Sequence, residues 1–252
     1  MPPPLRTSPP YHITRLAEES EVARLRWTDR GRAPLAYTRG MALVYGRVYC
    51  KLKAGDAAVV AMAVARTSDA GRDVLAWYAH VFAGAGLSND TDGADTLRHL
   101  FVLLFGLGMR ESSGKHCSGR DASASNTSAE TSEAGLFQTS FNARTAHPLL
   151  GQVLAHYTAH PSGFIEVFRD GVTCRAADAT NHGTGAGKEF QRLSKECPAF
   201  AAEFAALCLR HRRRHYGPIN RREAEVRVEV DRLLLQVQAA VDAHALCPAL
   251  LA

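Results

Sequence analysis

Residues 97–140 read LRHLFVLLFGLGMRESSGKHCSGRDASASNTSAETSEAGLFQTS, and the rest of the chain is read outward from them. An apolar run at 100–109 delivers one carboxylate, Glu111, into the small polar turn Ser112-Ser113-Gly114. A loop rich in Ser, Thr, Asn and acids follows, and apolar sequence resumes at Ala134-Gly135-Leu136-Phe137-Gln138. The run predicts a buried central helix, capped at its start by Asp92 or Asp95. A carboxylate at its far end faces the negative pole of the helix dipole, a position that local electrostatics disfavours. Apolar surroundings disfavour its charged form and raise its pKa, making Glu111 a candidate proton donor near neutral pH.

The chain has 252 residues, 46% of them hydrophobic and 22% charged, which fits a globular protein large enough for one substantial core. A formal charge of +5 favours encounter with anionic partners. Residues 1–10, MPPPLRTSPP, have no apolar run, so no Sec-type signal peptide is expected. The longest apolar run is too short to span a bilayer, so a soluble chain with no membrane span is expected. That places it in the cytoplasm or on a release route other than Sec. Six cysteines are even in number but sparse for a disulfide-stapled domain, so they leave the redox compartment and the pairing open.

Outward from the central helix, the sequence predicts a mainly α, single domain over 15–252 preceded by an extended arm over 1–14. Helices are expected at 15–27, 35–53, 57–65, 74–82, 147–158, 188–195, 198–215 and 221–243, the last an amphipathic one. A loop or a small irregular hairpin is expected between 115 and 140, lying over a surface cleft. Gly217-Pro218 predicts a helix stop.

Three other motifs carry less. Gly183-Thr184-Gly185-Ala186-Gly187-Lys188 imitates a phosphate loop, but His182 and Glu189 stand where Gly and Ser or Thr are needed, and no apolar strand precedes it. Cys208, His211 and His215 share a helix face at metal-ligand spacing, yet no fourth ligand presents itself, so no metal and no cofactor are assigned. The basic run at 210–215 suits a helix C-terminus, and without an aromatic platform it argues against nucleic acid as partner.

Arg110-Glu111-Ser112-Ser113-Gly114, followed some twenty residues on by Ala134-Gly135-Leu136-Phe137-Gln138, resembles the lysozyme superfamily, in particular goose-type lysozymes and soluble lytic transglycosylases. The resemblance covers about forty residues. It implies an α+β lysozyme-like fold, Glu111 as general acid, and Gly135, Leu136 and Gln138 on the cleft wall, with Ser112 and Ser113 beside the substrate. The family's downstream Tyr is absent from Ala179-Thr180-Asn181-His182-Gly183, and His182 and Tyr216 are the candidates to stand in for it. Hydrolysis of a glycosidic bond uses a second carboxyl, close for retention and farther for inversion. The candidates are Glu133, Glu130 and Asp121. A lytic transglycosylase needs none. The implied activity is cleavage of a β-1,4-linked N-acetylhexosamine polymer, with peptidoglycan favoured and a chitinase- or chitosanase-like hydrolase as a variant. The alternative is a non-catalytic protein of lysozyme-like fold that binds a glycan or a partner.

Overall fold

The structure, a computed structural model, describes residues 9–120 and 126–252. Helix α1 (Pro9–Glu19) leads through a 3₁₀ turn at Glu21–Arg24 into a two-stranded antiparallel hairpin, β1 (Arg26–Trp27) and β2 (Gly31–Arg32), with Trp27 opposite Gly31. The expected arm is therefore helical from Pro9 onward. Ile13 and Ala17, four apart, are fully buried, and that pair docks the helix on the core. The helix expected over 15–27 stops at Glu19 and gives way to this hairpin, while the described residues between 115 and 140 form a loop with one antiparallel bridge, Ala134 to Thr139.

Pro34 starts α2 (Leu35–Lys53), and α3 (Ala57–Ala63) is capped by Asp56, whose side chain accepts the N–H of Val59 at 3.1 Å. The single helix expected over 74–82 is two, α4 (Val74–Trp77) and α5 (Ala79–Gly84), which meet at Tyr78. Then comes α6 (Ala94–Ser112), the central helix. Neither Asp92 nor Asp95 caps it. Asp92 accepts the N–H of Ala65 at 2.7 Å, Asp95 pairs with Arg98 at 2.5 Å, and Gly93 occupies the cap position.

After the site segment the chain forms α7 (Pro148–Ala159), α8 (Ile165–Arg169), α9 (Ala176–Ala179), α10 (Gly185–Glu196), α11 (Pro198–Arg212), α12 (Gly217–Asn220), α13 (Val228–Ala243) and α14 (Cys247–Leu251). The stop expected at Gly217-Pro218 is in place, since α11 ends at Arg212, a 3₁₀ turn ends at His215 and Tyr216 is extended; Gly217 and Pro218 then open α12, where a proline in the first turn forfeits only a hydrogen bond that was unmade anyway. The amphipathic helix expected from 221 begins at Val228, and Arg222 upstream takes a left-handed φ of 56°. The molecule is mainly helical, and the one two-stranded sheet is its only sheet among the described residues. No described helix is long and apolar enough to cross a membrane.

Helix α6 runs through the core against α2, α3, α11, α12 and α13. Leu97, Leu100, Phe101, Val102, Leu103, Leu104, Phe105 and Leu107 are all fully buried, so the middle of the helix is enclosed on every side. Each such side chain contributes about 1.5–3 kcal/mol of burial, against about 1 kcal/mol lost at each helical glycine. Packing therefore outweighs the two glycines in α6. They are there because neighbours come close: a Cβ on Gly106 would lie 2.2 Å from the carbonyl oxygen of Glu225, and one on Gly108 would lie 2.3 Å from the Tyr37 hydroxyl. That hydroxyl donates to the carbonyl of Phe105 at 2.9 Å.

Two disulfides close the fold. Cys50 of α2 is bonded to Cys247 of α14, and Cys117 to Cys174, while Cys197 and Cys208 are free and buried.

Candidate active site

The last turn of α6 stops in a defined way. The N–H of Ser113 donates to Met109 and that of Gly114 to Gly108, with Ser113 at φ 54° and Gly114 at φ 74°. This satisfies carbonyls that a helix end leaves bare. A Cβ on Gly114 would also sit 2.8 Å from the ring of Tyr37, so glycine is required there twice over. The Ser112 hydroxyl donates to Gly108 at 2.9 Å and is buried. Ser112 and Ser113 thus build the turn, and the turn fixes Glu111 one step before the helix end.

The segment 134–139 forms the opposing wall. Ala134 and Thr139 make an antiparallel bridge, and the N–H of Gly135 donates to Ser118 at 2.9 Å. Leu136 and Phe137 are buried, the Phe137 ring lying close to Gly108 of α6. Gly135, at φ 77°, rests directly on the backbone of Ser194 in α10. Gln138 takes φ 47° and spends its amide inside the turn, donating to Gly135 at 3.0 Å and more weakly to Ser118 at 3.4 Å. Gln138, Leu136 and Gly135 therefore shape the wall from within it. Their burial seats the preceding residue, Glu133, where its charge reaches Glu111.

Glu111 is the most perturbed carboxyl of the site. Burial lifts its pKa from the ordinary glutamate range to about 8, and the nearby charge of Glu133 pushes it the same way. Arg221 and Arg30 oppose the rise, and Glu223 adds a smaller upward push. The arginines are held by contacts of their own near the end of α6. Arg30 donates to the carbonyl of Arg110 at 2.7 Å, and Arg110 in turn pairs with Glu223 at 3.1 Å and Asp29 at 3.3 Å. Arg221 grips Glu223 through two bonds of 2.8 and 3.0 Å. Hydrogen bonds from Arg221 and Arg110 lower Glu223 to about 2. Two glutamates of one neighbourhood are thus driven apart, one protonated near neutrality and one ionised throughout, the separation on which acid–base sites are built.

The remaining candidates fall in different places. Glu130 is exposed and pairs with Arg144 at 3.1 Å. Asp121 lies outside the described residues. Tyr216 is fully buried and shares a 3.1 Å hydrogen bond with Thr139 on the site wall, and burial pushes its phenol well above the ordinary range. His182 is half-buried, and its backbone N–H donates to Gln191 at 2.8 Å. Among the described residues no hydrogen bond or ion pair links its ring to Glu111. The neighbouring Gly183 and Gly187 close onto Ala129, where a Cβ on either would come within 2.6 Å of it. The glycine-rich stretch is thus a seat for the polar loop.

Arg30, Arg221 and Glu223 escaped the sequence reading because they lie some eighty and more than a hundred residues from Glu111. The one available signal was the alternation of charge in Arg221-Arg222-Glu223 directly after a Gly-Pro pair. Cys208, His211 and His215 do not converge. Among the described residues the one metal-sized group of His, Cys and acidic atoms is His116, Cys117 and Cys174, and there both sulfurs are spent in a disulfide. A site holding a protonated carboxyl beside a second carboxylate can donate a proton to a leaving oxygen and then activate water or steady a cation. In comparisons with family models, curated proteins and solved structures, none matched the chain.

Proposed function

We propose that the chain is a glycoside-cleaving enzyme of lysozyme-like fold, with Glu111 as general acid and a β-1,4-linked N-acetylhexosamine polymer as substrate, peptidoglycan being favoured. The observation that carries this reading is the pairing of a half-buried carboxyl, raised by desolvation to about 8 at the end of a core helix, with the nearby charge of Glu133. Glu111 protonates the glycosidic oxygen. Glu133 activates water or stabilises the oxocarbenium-like transition state. Of the second carboxyls that the sequence offered, Glu133 is preferred because its charge raises the Glu111 pKa, whereas Glu130 is exposed and paired with Arg144. Two disulfides suit an oxidising, extracytoplasmic place of action, where a wall polymer lies. A net charge of +5 suits an anionic wall.

A second reading, binding without cleavage, is favoured by Tyr216, which is buried with its hydroxyl bonded to Thr139 and so does not stand in for the family's absent Tyr. Digestion of purified peptidoglycan, with products read by mass spectrometry, separates the two. Wild type is expected to release fragments, and Glu111→Gln to lose roughly 10²–10⁴-fold in rate. Reducing ends, with Glu133→Gln also inactive, identify a hydrolase. Anhydro ends, with Glu133→Gln active, identify a lytic transglycosylase. Fragments released equally by Glu111→Gln would remove Glu111 as the acid. A failure of wild type to cleave either peptidoglycan or chitin, with retained binding, would leave the second reading.

A further inference from the structure

Away from Glu111, a cavity of about 550 Å³ opens between the 69–72 turn, the end of the 3₁₀ segment Phe141–Ala146 and the C-terminal end of α11. It falls within the roughly 300–1,000 Å³ of small-molecule sites. Arg72, Arg212, Arg214, His211, Thr145 and Asp69 line it. Three guanidiniums on one concave surface are held there by buried structure. The N–H of Arg213 donates to the carbonyl of Arg72 at 2.9 Å, tying the two arginine-bearing segments together. Beneath them Arg210 and Asp73 form a fully buried ion pair at 2.9 Å. The Arg210 guanidinium also donates to the carbonyls of Met62, Val64 and Ala65.

The charge of this cavity is not neutralised from within. Asp69 spends a carboxylate oxygen on the backbone N–H groups of Gly71 and Arg72, at 2.9 and 3.2 Å. Among the described residues the side chains of Arg72 and Arg214 make no hydrogen bond and no ion pair, and Arg212 makes only one long bond, 3.4 Å, to the carbonyl of Asn142. The positive field is legible in His211, which lies stacked on His147 with ring centres 4.0 Å apart. Burial first, then His147, Arg210 and Arg72, hold its pKa down at about 4, with Asp73 opposing. A basic helix end that merely complements its dipole would carry its arginines on one segment alone. Here arginines from two segments of the chain share one concavity.

We propose that this cavity is a binding site for a small phosphorylated molecule, held by its phosphoryl group between Arg72, Arg212 and Arg214. Guanidinium forks match phosphate oxygens in geometry, and three of them against one occupied carboxylate suit a dianion better than a single carboxylate. The volume leaves room for the organic part beside Thr145 and the His211 ring. The site is independent of the glycosidase reading, since Glu111 is not among its lining residues and its test uses no glycan.

Titration calorimetry at 0.15 M NaCl tests it on the whole chain with three probes: inorganic phosphate, glycerol 3-phosphate and the diester glycerophosphoglycerol, with glycerol as blank. Saturable binding at one site by phosphate and glycerol 3-phosphate, and none by glycerol, is expected. Arg72→Ala with Arg214→Ala should weaken it at least roughly tenfold, and both side chains are exposed, so the melting temperature should hold. Arg15→Ala, on the distant α1, should leave binding unchanged. Preference for the monoesters assigns the site to a free phosphorylated molecule, and equal or tighter diester binding assigns it to a phosphodiester linkage. Absence of binding by all three probes, or equal binding by wild type and the double variant, would overturn the proposal.

Discussion

At the scale of single residues, the protonation of Glu111 contributes to stability and, in the proposed reading, governs reactivity. Its carboxyl titrates near 4.5 in the unfolded chain and near 8 in the folded one. Between those values the folded state holds the extra proton, so stability falls as pH rises through the interval and the loss is complete above about pH 8. A shift of this size corresponds to on the order of 5 kcal/mol. Glu111→Gln removes the ionisable group while keeping its shape. It should match wild type near pH 4 and exceed it by on the order of 5 kcal/mol at pH 9 in urea denaturation. Stability curves that stay parallel across this range would mean that Glu111 is not desolvated as described. Activity, where it needs the protonated acid, should fall above pH 8. Glu133 raises the Glu111 pKa, so Glu133→Gln should move both the stability loss and the alkaline limb of any activity profile toward lower pH. An unmoved limb in that variant would show that the two carboxyls are not coupled.

At the scale of elements, α6 and its neighbours turn glycine into a measure of close approach. Gly106 meets the Glu225 backbone, which cannot yield without displacing Glu223 and the arginines it holds. Gly106→Ala should cost about 1–3 kcal/mol by overpacking and disturb the Glu111 surroundings as well. Gly151, exposed within α7 with open space where a methyl group would project, offers the opposite case. Gly151→Ala should stabilise by about 0.5–1 kcal/mol. Thermal melts of the two variants should move in opposite directions, and a common direction would refute the packing assigned to α6. The same contrast explains what could be read from the chain. The helices α2, α6 and α7 announce themselves by apolar spacing and by Pro148, because those signals are local. Glu111 was legible for that reason too. The start of α13 was not, since Val226 extends its apolar stripe backward while the left-handed Arg222 interrupts the backbone upstream. Asp92 looked like a cap until a distant N–H, that of Ala65, claimed it. Choosing Glu133 over Glu130 required knowing that Leu136 and Phe137 are buried while Glu130 turns out to Arg144.

At the scale of the whole molecule, the two disulfides do different work. Cys50–Cys247 closes a ring across a separation of 197 residues and pins α14 onto α2. Loop-closure entropy assigns about 5 kcal/mol to a ring of that length, and about 4 kcal/mol to the 57-residue separation of Cys117–Cys174. Their global contributions are therefore similar, but their positions are not. Cys117 follows the turn that ends α6, and the Gly119 N–H beyond it donates to Asp178, so the second bond ties the entry of the polar loop to the segment leading into α9. Replacing Cys50 and Cys247 by Ala should lower unfolding free energy by about 2–5 kcal/mol and leave the Glu111 pH signature in place. Replacing Cys117 and Cys174 should lower stability comparably and also loosen the wall that carries Glu133, shifting that signature toward lower pH. Denaturant melts of both pairs at several pH values distinguish these outcomes. Identical pH signatures in the two variants would show that the second disulfide serves only the fold. Alkylation of the unreduced, denatured chain should label Cys197 and Cys208 alone, and labelling of any other cysteine would contradict the pairing on which both expectations rest.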